Sequence, residues 1–339
     1  MKLSDKITMN LNYKTIDVFI PVYNAEKYLD KCLQSIVNQT IFDKLNVVII
    51  DDGSTDHSSE IIDEYVLKYS NIRAYKQENK GLPFARQAGL LQFLGDAERR
   101  GKYFYTADSD DFLHPKMLEN LLRAAETNNS DFTYCDYSFY PHEIATKAKW
   151  YKPYKGIVDW KLIERNTQPW NKLIRWDLSD SVKLQDIWPI YGDSVYVDLI
   201  VHAKKIVSID DKLYYYRVGH ESMSGSYRGR LNFYLHVAEI AKKQIDFVAD
   251  LDNSELTTYF HYRYIYALLQ VCFIAVLDNN REVYQNTCKK LNKLNYLKNK
   301  YTKIVLKNNF GVAKAFILAQ VVPRSYFLTK LVCRVALGR

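Results

Sequence analysis

The sequence predicts an α/β fold, in which helices cover both faces of a mostly parallel sheet and a helical region follows. Short runs of β-branched and apolar residues alternate with helical patterns from residue 16 to residue 107, as in parallel sheets that are buried on both faces. After about residue 227 the apolar residues recur only at helical spacing. This second pattern indicates a C-terminal helical extension.

The predicted elements follow one another regularly along the chain. The helices are indicated by apolar stripes through Leu33 and Ile36, through Ile61 and Tyr65, and over residues 83–94. Because the carboxyl ends of parallel strands meet at one edge of a sheet, a ligand site is expected at that edge. The strands between these helices are expected at residues 16–21, 46–50, 72–75 and 103–107.

Length and pattern together predict the domain organisation. A chain of 339 residues accommodates one large domain with an appendage, or two domains. We expect an α/β domain over residues 1–225, with one half at about 16–131 and the other, rich in Trp and Tyr, at about 132–225. A basic helical region is expected over residues 226–339.

The net charge of +8 is distributed unevenly. The last acidic residue is Glu282, and twelve Lys and Arg residues follow it, so the first 282 residues hold 35 basic and 39 acidic side chains. A tail of interleaved apolar and basic residues favours an anionic membrane surface as its partner over nucleic acid, which more often binds a basic folded body. The alternative is a helical subdomain whose lysines are simply solvated.

Cysteine usage and hydropathy indicate the compartment. The five cysteines form no CxxC pair, which argues against a disulfide framework or a structural zinc site and for a reducing cytosol. The polar start of the sequence shows no secretory signal. The most apolar stretches, residues 264–277 and 311–323, are shorter than the roughly 20 residues that span a bilayer. We therefore expect a cytoplasmic protein that is at most peripheral to a membrane.

Three carboxylates, those of Asp108, Asp110 and Asp111, follow directly after the fourth predicted strand. They repel one another unless a cation lies among them, and their hard oxygen ligands suit Mg²⁺ or Mn²⁺ bridging to phosphates. The alternative is a helix N-cap, but a cap uses one acid rather than three. The cluster therefore predicts a metal site.

A second acidic segment, Asp51-Asp52-Gly53-Ser54, follows the second predicted strand. It is equally typical of a turn that leads into a helix. Its place beside the first cluster favours a function, such as accepting a hydrogen bond from a base or a ribose. The sequence contains no P-loop and no GxGxxG pattern, so phosphate binding by a glycine-rich loop is not expected.

Several such motifs, in this order, resemble the inverting family 2 glycosyltransferases of the GT-A fold, especially those that build bacterial cell-surface and capsular polysaccharides. The resemblance covers about residues 16–224. It rests on Pro21-Val22-Tyr23-Asn24, on Asp51-Asp52-Gly53-Ser54, on residues 78–89 with Ala85-Arg86, and on Asp108-Ser109-Asp110.

The resemblance implies a nucleotide-sugar donor, with a UDP-sugar expected, and a Mn²⁺ or Mg²⁺ cofactor. Tyr23 would stack on the base, Asp52 would accept the uracil imide hydrogen, and Arg86 would reach the nucleotide. Asp110 would be the direct metal ligand, with Asp108 nearer the ribose and also within reach of the metal. Pro21, Asn24 and Ser109 complete the implied nucleotide-binding set.

The resemblance also assigns Asp193 as the catalytic base. Gly192 stands where family members usually carry Glu, so the family's Glu-Asp pair is reduced to its aspartate. The alternative for Asp193 is an N-cap of a helix over residues 195–203.

An acceptor-binding segment is implied by Trp170, Asn171 and Lys172, and Trp188 joins it because sugar rings stack on indole faces. The alternative places these aromatic rings in the core. His220 would add a metal or diphosphate contact, or would be a solvated loop residue. The implied acceptor is a saccharide, lipid-linked at the inner face of the plasma membrane.

Two rival functions predict different features. A sugar nucleotidyltransferase would have a glycine-rich basic loop after the first strand, where this chain has residues 21–25. A non-catalytic, membrane-associated protein of GT-A type would have lost the acids that are retained at Asp108, Asp110 and Asp193.

Overall fold

The computed structural model describes residues 15–96, 100–141, 156–158, 168–219, 231–249, 251–299, 302 and 317–337. The chain forms two compact units, residues 1–220 and 221–339. The first unit is an α/β unit and the second is helical.

Four parallel strands form the first part of the sheet. They are β1 (Ile16–Val22), β2 (Leu45–Asp51), β3 (Ile72–Lys76) and β4 (Tyr103–Thr106), in the order β3-β2-β1-β4. Every residue of β1 and β2 is buried, because helices cover both faces of the sheet. The four strands predicted from the sequence are confirmed.

The helices of this part are α1 (Glu26–Val37), α2 (Ser58–Lys68), α3 (Leu82–Leu94) and α4 (Met117–Asn128). Gly89 on α3 allows a close approach to β1, since a Cβ atom at this position would lie 2.8 Å from the Phe19 Cβ. This close contact fixes the height of α3 above the sheet, and with it the position of Arg86 one turn earlier.

The sheet continues beyond β4 with mixed strand directions. The further strands are β5 (Phe112–Leu113), β6 (Phe132–Tyr140), β7 (Gly156–Val158), β8 (Lys172–Arg175) and β9 (Ile206–Arg217), accompanied by α5 (Trp176–Ser181), α6 (Leu184–Tyr191) and α7 (Val195–His202). β8 runs antiparallel to β4 and β6, β9 runs parallel to β6, and β5 and β7 run antiparallel to β9. The sheet is therefore entirely parallel over β1–β4 and mixed beyond β4, where β6 and β9 are parallel and the other pairs are antiparallel.

The C-terminal unit contains α8 (Leu231–Val248), α9 (Ser254–Leu277), α10 (Arg281–Lys293), a π-helical turn (Ile317–Val321) and α11 (Tyr326–Leu337). Side chains of Asn253 and Asn280 accept hydrogen bonds from the first turns of α9 and α10, as N-caps do. The helical extension predicted from the sequence is confirmed.

Helix α9 is longer than its apolar stretch suggested. It has 24 residues and, among the described helices, it alone is long and apolar enough to cross a membrane. However, 67% of its most apolar window is buried inside the structure. Such burial is typical of the core helix of a folded helical unit.

Candidate active site

The loops that follow β1 and β2 are hydrogen-bonded to each other at the carboxyl edge of the sheet. The backbone N–H of Asn24 donates to Ser54 Oγ at 3.1 Å, and the Thr55 N–H donates to Asn24 Oδ1 at 2.8 Å. Pro21 lies within β1 beside Ile50. Asn24 and Pro21 therefore shape this edge, and the side chain of Asn24 is engaged in holding the two loops together.

Tyr23 stands at the rim of the same edge with 48% of its surface exposed. Asp52, in contrast, is buried, and its carboxylate accepts hydrogen bonds from Gln77 Nε2 at 2.7 Å and from the backbone N–H groups of Lys80 and Gly81 at 3.0 and 2.8 Å. Asp52 therefore holds the loop that leads into α3. Gly81 has a φ of 88° at the start of this helix, a conformation that favours glycine.

The buried side chain of Arg86 joins two acids that are far apart in the sequence. Its Nη2 donates to Asp108 Oδ1 at 2.6 Å, and its Nη1 donates to Asp193 Oδ1. Burial alone would lower the pKa of Arg86, but the charges of Asp193 and Asp108 outweigh it and raise the pKa above its usual value. The guanidinium therefore stays charged and gathers both carboxylates at the carboxyl end of β4.

Asp108, Asp110 and Asp111 each offer a carboxylate oxygen within 4.8 Å of the other two. Asp111 is buried, and its two oxygens accept hydrogen bonds from the Tyr214 hydroxyl at 2.7 Å and from the Arg217 backbone N–H at 2.6 Å. Burial, followed by the charges of Asp110 and Asp108, raises the pKa of Asp111 to about 9. Both oxygens of Asp111 are therefore engaged by the protein, and Asp108 and Asp110 are the less buried acids of the three.

The remaining pair fits a divalent cation. Burial raises the pKa of Asp108 to about 6, Arg86 opposes this rise, and the charges of Asp110 and Asp193 add to it. A cation among these acids would relieve their repulsion. Mg²⁺ and Mn²⁺ are commonly held by one or two carboxylates together with phosphate oxygens of the substrate. Asp108 and Asp110 supply that donor set, and Ser109 lies half-buried between them.

Asp193 lies in a 3₁₀ turn, Gly192–Ser194, immediately before α7. Gly192 has a φ of 52°, in the left-handed region that favours glycine. This backbone conformation explains why the chain has glycine here, where the family usually has Glu. The N-cap residue of α7 is Ser194, so Asp193 does not take the capping position. Its side chain is 46% exposed while it contacts Arg86, which leaves carboxylate surface open to a substrate.

The expectation that Trp170 and Trp188 present indole faces to an acceptor is wrong in this structure. Trp170 is buried and stacks on Tyr214, with ring centroids 4.2 Å apart. Trp188 is completely buried against Phe19 and Tyr196. Both rings are core residues, and their faces are covered by protein.

Asn171 and Lys172 are also buried, so they do not offer the accessible acceptor contacts that the sequence suggested. The Asn171 amide donates to the Cys135 carbonyl at 2.6 Å, and Lys172 Nζ donates to Asn171 Oδ1 at 2.6 Å and to the Gln168 carbonyl. Burial lowers the pKa of Lys172 well below its usual value, opposed by the charges of Cys135 and Asp193. Both side chains therefore bind backbone carbonyls of the protein beside β8.

Arg217 is a site residue that the sequence did not single out. Its Nε donates to the Asp110 carbonyl at 2.7 Å, its N–H donates to Asp111, and its guanidinium lies 4.8 Å from the centroid of the Tyr28 ring. The signal in the sequence that could have indicated it is the arginine at the end of the run Tyr214-Tyr215-Tyr216-Arg217. His220 lies outside the described residues.

Known proteins are similar to this chain in sequence and in fold. A model of Glycosyl transferase family 2 matches residues 17–178. The cholesterol galactosyltransferase of Borreliella burgdorferi is 28% identical over 298 residues, which are 81% of each chain. The minor teichoic acid biosynthesis protein GgaB of Bacillus subtilis is 26% identical over 233 residues, which are 66% of this chain and 25% of GgaB.

Among solved structures, S. aureus TarS 1-349 in complex with UDP-GlcNAc matches with a TM-score of 0.67 and 19% identity, over 93% of this chain and 92% of that one. This likeness confirms the expected GT-A fold. The family match begins at β1 and includes the acids after β4 and the Arg86 that binds one of them. Residues 17–178 therefore belong to Glycosyl transferase family 2.

Proposed function

We propose that the protein transfers a sugar from a UDP-sugar to a hydroxyl of a saccharide acceptor, with inversion at the anomeric carbon, during synthesis of a bacterial surface polysaccharide. The observation on which this proposal rests is the contact of one buried guanidinium, Arg86, with both Asp108 and Asp193. This contact brings Asp108, a candidate diphosphate-binding acid, and Asp193, a candidate base, to one site. The name of the relative GgaB, a teichoic acid biosynthesis protein, supports the polysaccharide context.

The donor would bind across the carboxyl edge of the sheet. Tyr23, with nearly half of its surface exposed, would stack on the uracil ring. The Asp52 carboxylate would accept a hydrogen bond from the imide N–H of the base, with an oxygen lone pair that its three existing hydrogen bonds do not use. Pro21, Asn24 and Ser109 would shape the nucleotide site. The TarS structure with bound UDP-GlcNAc supports a uridine nucleotide.

Asp110 and Asp108 would hold Mn²⁺ or Mg²⁺. When bound, the cation neutralises negative charge that develops on the leaving diphosphate. Arg86, with its charge maintained by the two acids, would orient Asp108 towards the donor. Arg217 would fix Asp110 and Asp111 from the opposite side through its backbone and side-chain contacts.

Asp193 would be the general base. The acceptor oxygen attacks the anomeric carbon from the face opposite UDP, and the bond from that carbon to the diphosphate oxygen breaks with its electron pair passing to UDP. Asp193 takes the proton that the acceptor oxygen loses, a role open to an ordinary carboxylate when proton transfer is late. This single displacement inverts the anomeric configuration and needs no covalent sugar intermediate.

The experiment is a donor screen on the full chain with Mn²⁺ present. A panel of UDP-, dTDP- and GDP-sugars is incubated with saccharide acceptors, and free nucleoside diphosphate is measured. We expect release of UDP that the acceptor accelerates, and a product whose anomeric configuration is opposite to that of the donor by NMR. Release from a GDP-sugar alone, or a product with retained configuration, would contradict the proposal.

A membrane-bound acceptor is proposed from the surface of α11. Phe327, Leu328 and Leu331 are 74%, 48% and 49% exposed, at positions that share one side of a helix. Arg324 and Lys330 add positive charge nearby, and no acidic residue follows Glu282. This apolar and basic face is complementary to an anionic leaflet, which would place a cytoplasmic enzyme at the inner face of the plasma membrane. The name of the cholesterol galactosyltransferase supports a lipid as the acceptor or its carrier.

Sedimentation with liposomes tests this second part separately. The full chain should sediment with vesicles that contain anionic lipid and remain in solution with neutral vesicles. Substitution of Phe327 and Leu331 by Ser should release it, while Leu67→Ser, at an exposed apolar residue of α2, should leave sedimentation unchanged. Equal sedimentation of the two variants would contradict membrane docking through α11 and leave the proposed reaction untouched.

A further inference from the structure

Two cysteines of the helical unit face each other across the contact between α9 and α10. Cys272 Sγ and Cys288 Sγ are 3.8 Å apart and belong to residues separated by 16 positions in the sequence. Cys272 is completely buried in the core of this unit, whereas Cys288 is only partly buried at its edge. A disulfide has an S–S bond of about 2.0 Å, so a side-chain movement of about 2 Å would join the two sulfur atoms.

The two thiols differ in reactivity. A hydrogen bond with Cys272 lowers the pKa of Cys288, in spite of the opposing effect of burial. The same hydrogen bond and burial raise the pKa of Cys272. Because the thiolate is the form of cysteine that attacks oxidants, Cys288 is the nucleophile of the pair, and it is also the thiol with access to solvent.

We propose that Cys272 and Cys288 form a modification site, a dithiol that a hydroperoxide converts into a disulfide joining α9 to α10. The Cys288 thiolate attacks the peroxide oxygen, the O–O bond breaks, and the Cys288 sulfenic acid forms while the leaving oxygen takes a proton from solvent and departs as an alcohol or water. The Cys272 sulfur then attacks the Cys288 sulfur, the S–O bond breaks, and water leaves with the Cys272 proton. Overall, the peroxide gains two electrons and each sulfur gives up one.

The other described cysteines provide internal controls. Cys32 and Cys135 are completely buried in the α/β unit, and burial raises the pKa of each thiol. Cys32 also contacts the Asp108 carbonyl at 3.5 Å. The same treatment with peroxide should therefore leave both of these thiols reduced.

Peptide mapping of the full chain tests the proposal without any substitution. The protein is treated with hydrogen peroxide, its free thiols are alkylated, and it is digested and analysed by mass spectrometry with and without dithiothreitol. We expect the Cys272 and Cys288 peptides as one cross-linked species, lighter by two hydrogen atoms than their sum and separated by the reductant. Alkylated Cys272 in protein whose Cys288 has been oxidised would overturn the proposal.

Trapping of the intermediate tests the order of events. All proteins carry Cys333→Ser, so that the fifth cysteine does not contribute. Dimedone, which traps sulfenic acid, should label Cys288 strongly in the Cys272→Ser variant and weakly in the parent, where Cys272 consumes the intermediate. Cys288→Ser should abolish labelling of this helix pair. Equal labelling of Cys288 in the parent and in Cys272→Ser would show that the two sulfurs do not react with each other.

Discussion

The buried guanidinium of Arg86 is hydrogen-bonded to the carboxylate of Asp193, although 107 positions separate the two residues in the sequence. The same guanidinium binds Asp108, 22 positions away. Helix α3, the end of β4 and the turn before α7 thus contribute to one charged group. The arrangement holds the proposed base beside the proposed diphosphate site, and substrates that bind there would compete for the guanidinium.

Replacement of Arg86 by Lys should separate the effect of its positive charge on transfer from the effect of its two-pronged hydrogen bonding. A lysine retains the positive charge but presents a single ammonium instead of a planar fork, so it would hold one acid and release the other. We expect the rate of transfer to fall at least about tenfold, a loss of roughly 1.4 kcal/mol of transition-state stabilisation, with the fold retained by circular dichroism.

The matched control is Arg100→Lys, because Arg100 makes a similar two-pronged contact with Asp180 away from the proposed site. This variant should transfer sugar at close to the normal rate. Comparable losses in both variants would show that the bridge to Asp193 has no special importance.

Gly89 allows α3 to lie close to β1, and Gly89→Ala should disturb that contact. The new methyl group would meet the Phe19 side chain at 2.8 Å, and overpacking of this kind costs about 1–3 kcal/mol. We expect a lower free energy of unfolding in urea and reduced transfer, since Arg86 moves with the helix. Gly95→Ala is the control, because its methyl group would lie 3.5 Å from the Leu91 carbonyl oxygen, an ordinary van der Waals distance. If Gly95→Ala destabilises as much, close approach at Gly89 is not the cause.

Asp17 makes stability depend on pH. Its buried carboxylate accepts hydrogen bonds from Trp176 Nε1, from the Gly101 N–H and from Asn46 Nδ2, yet burial raises its pKa from 3.8 to about 6. A carboxyl group with a raised pKa in the folded state favours folding when protonated, so this contribution is complete below about pH 4 and is lost as the pH rises through about 6. The full change is about 3 kcal/mol.

The comparison that isolates this effect is wild type against Asp17→Asn. An amide remains neutral at every pH, so the free energy of unfolding of the wild type, relative to the variant, should fall between pH 4 and pH 7. Urea unfolding at the two pH values measures the difference. Parallel pH profiles for the two proteins would mean that Asp17 titrates normally in the folded state.

Removal of divalent metal should abolish transfer. EDTA would strip the cation proposed at Asp108 and Asp110, and Mn²⁺ or Mg²⁺ added in excess should restore the rate. Asp110→Asn should raise the concentration of Mn²⁺ needed for half-maximal activity, since it removes one anionic ligand. Full activity in excess EDTA would remove the metal from the proposed reaction.

The local elements of the α/β unit could be predicted because their signals are local. The continuous apolar runs of β1 and β2 reflect burial on both faces, and the acids after β4 follow a strand directly. The ordered motifs were sufficient to indicate the family. The strands beyond β4 were less predictable, since β9 pairs with β6 across about 70 residues and no short sequence signal specifies such a partner.

Contacts between side chains that are far apart in the sequence could not be predicted either, because no short sequence signal specifies the partner. Trp170 and Trp188 were expected at the surface because sugars stack on indole rings, but the same residue type fills the core, and only the positions of Tyr214 and Phe19 decide between the two. Arg86 was singled out from the sequence as a motif residue. Its contact with Asp193 depends on the path of the chain through β8, α5 and α6.

The most direct test of the account is Asp193→Asn, compared with Asp177→Asn at an exposed acid of α5. Asparagine keeps the size of the side chain but cannot take a proton from the acceptor, so we expect transfer to fall about 10²- to 10⁴-fold, while UDP binding measured by calorimetry stays within about threefold of the wild type. Asp177→Asn should be unaffected in both measurements. Near-normal transfer by Asp193→Asn would contradict the assignment of Asp193 as the base.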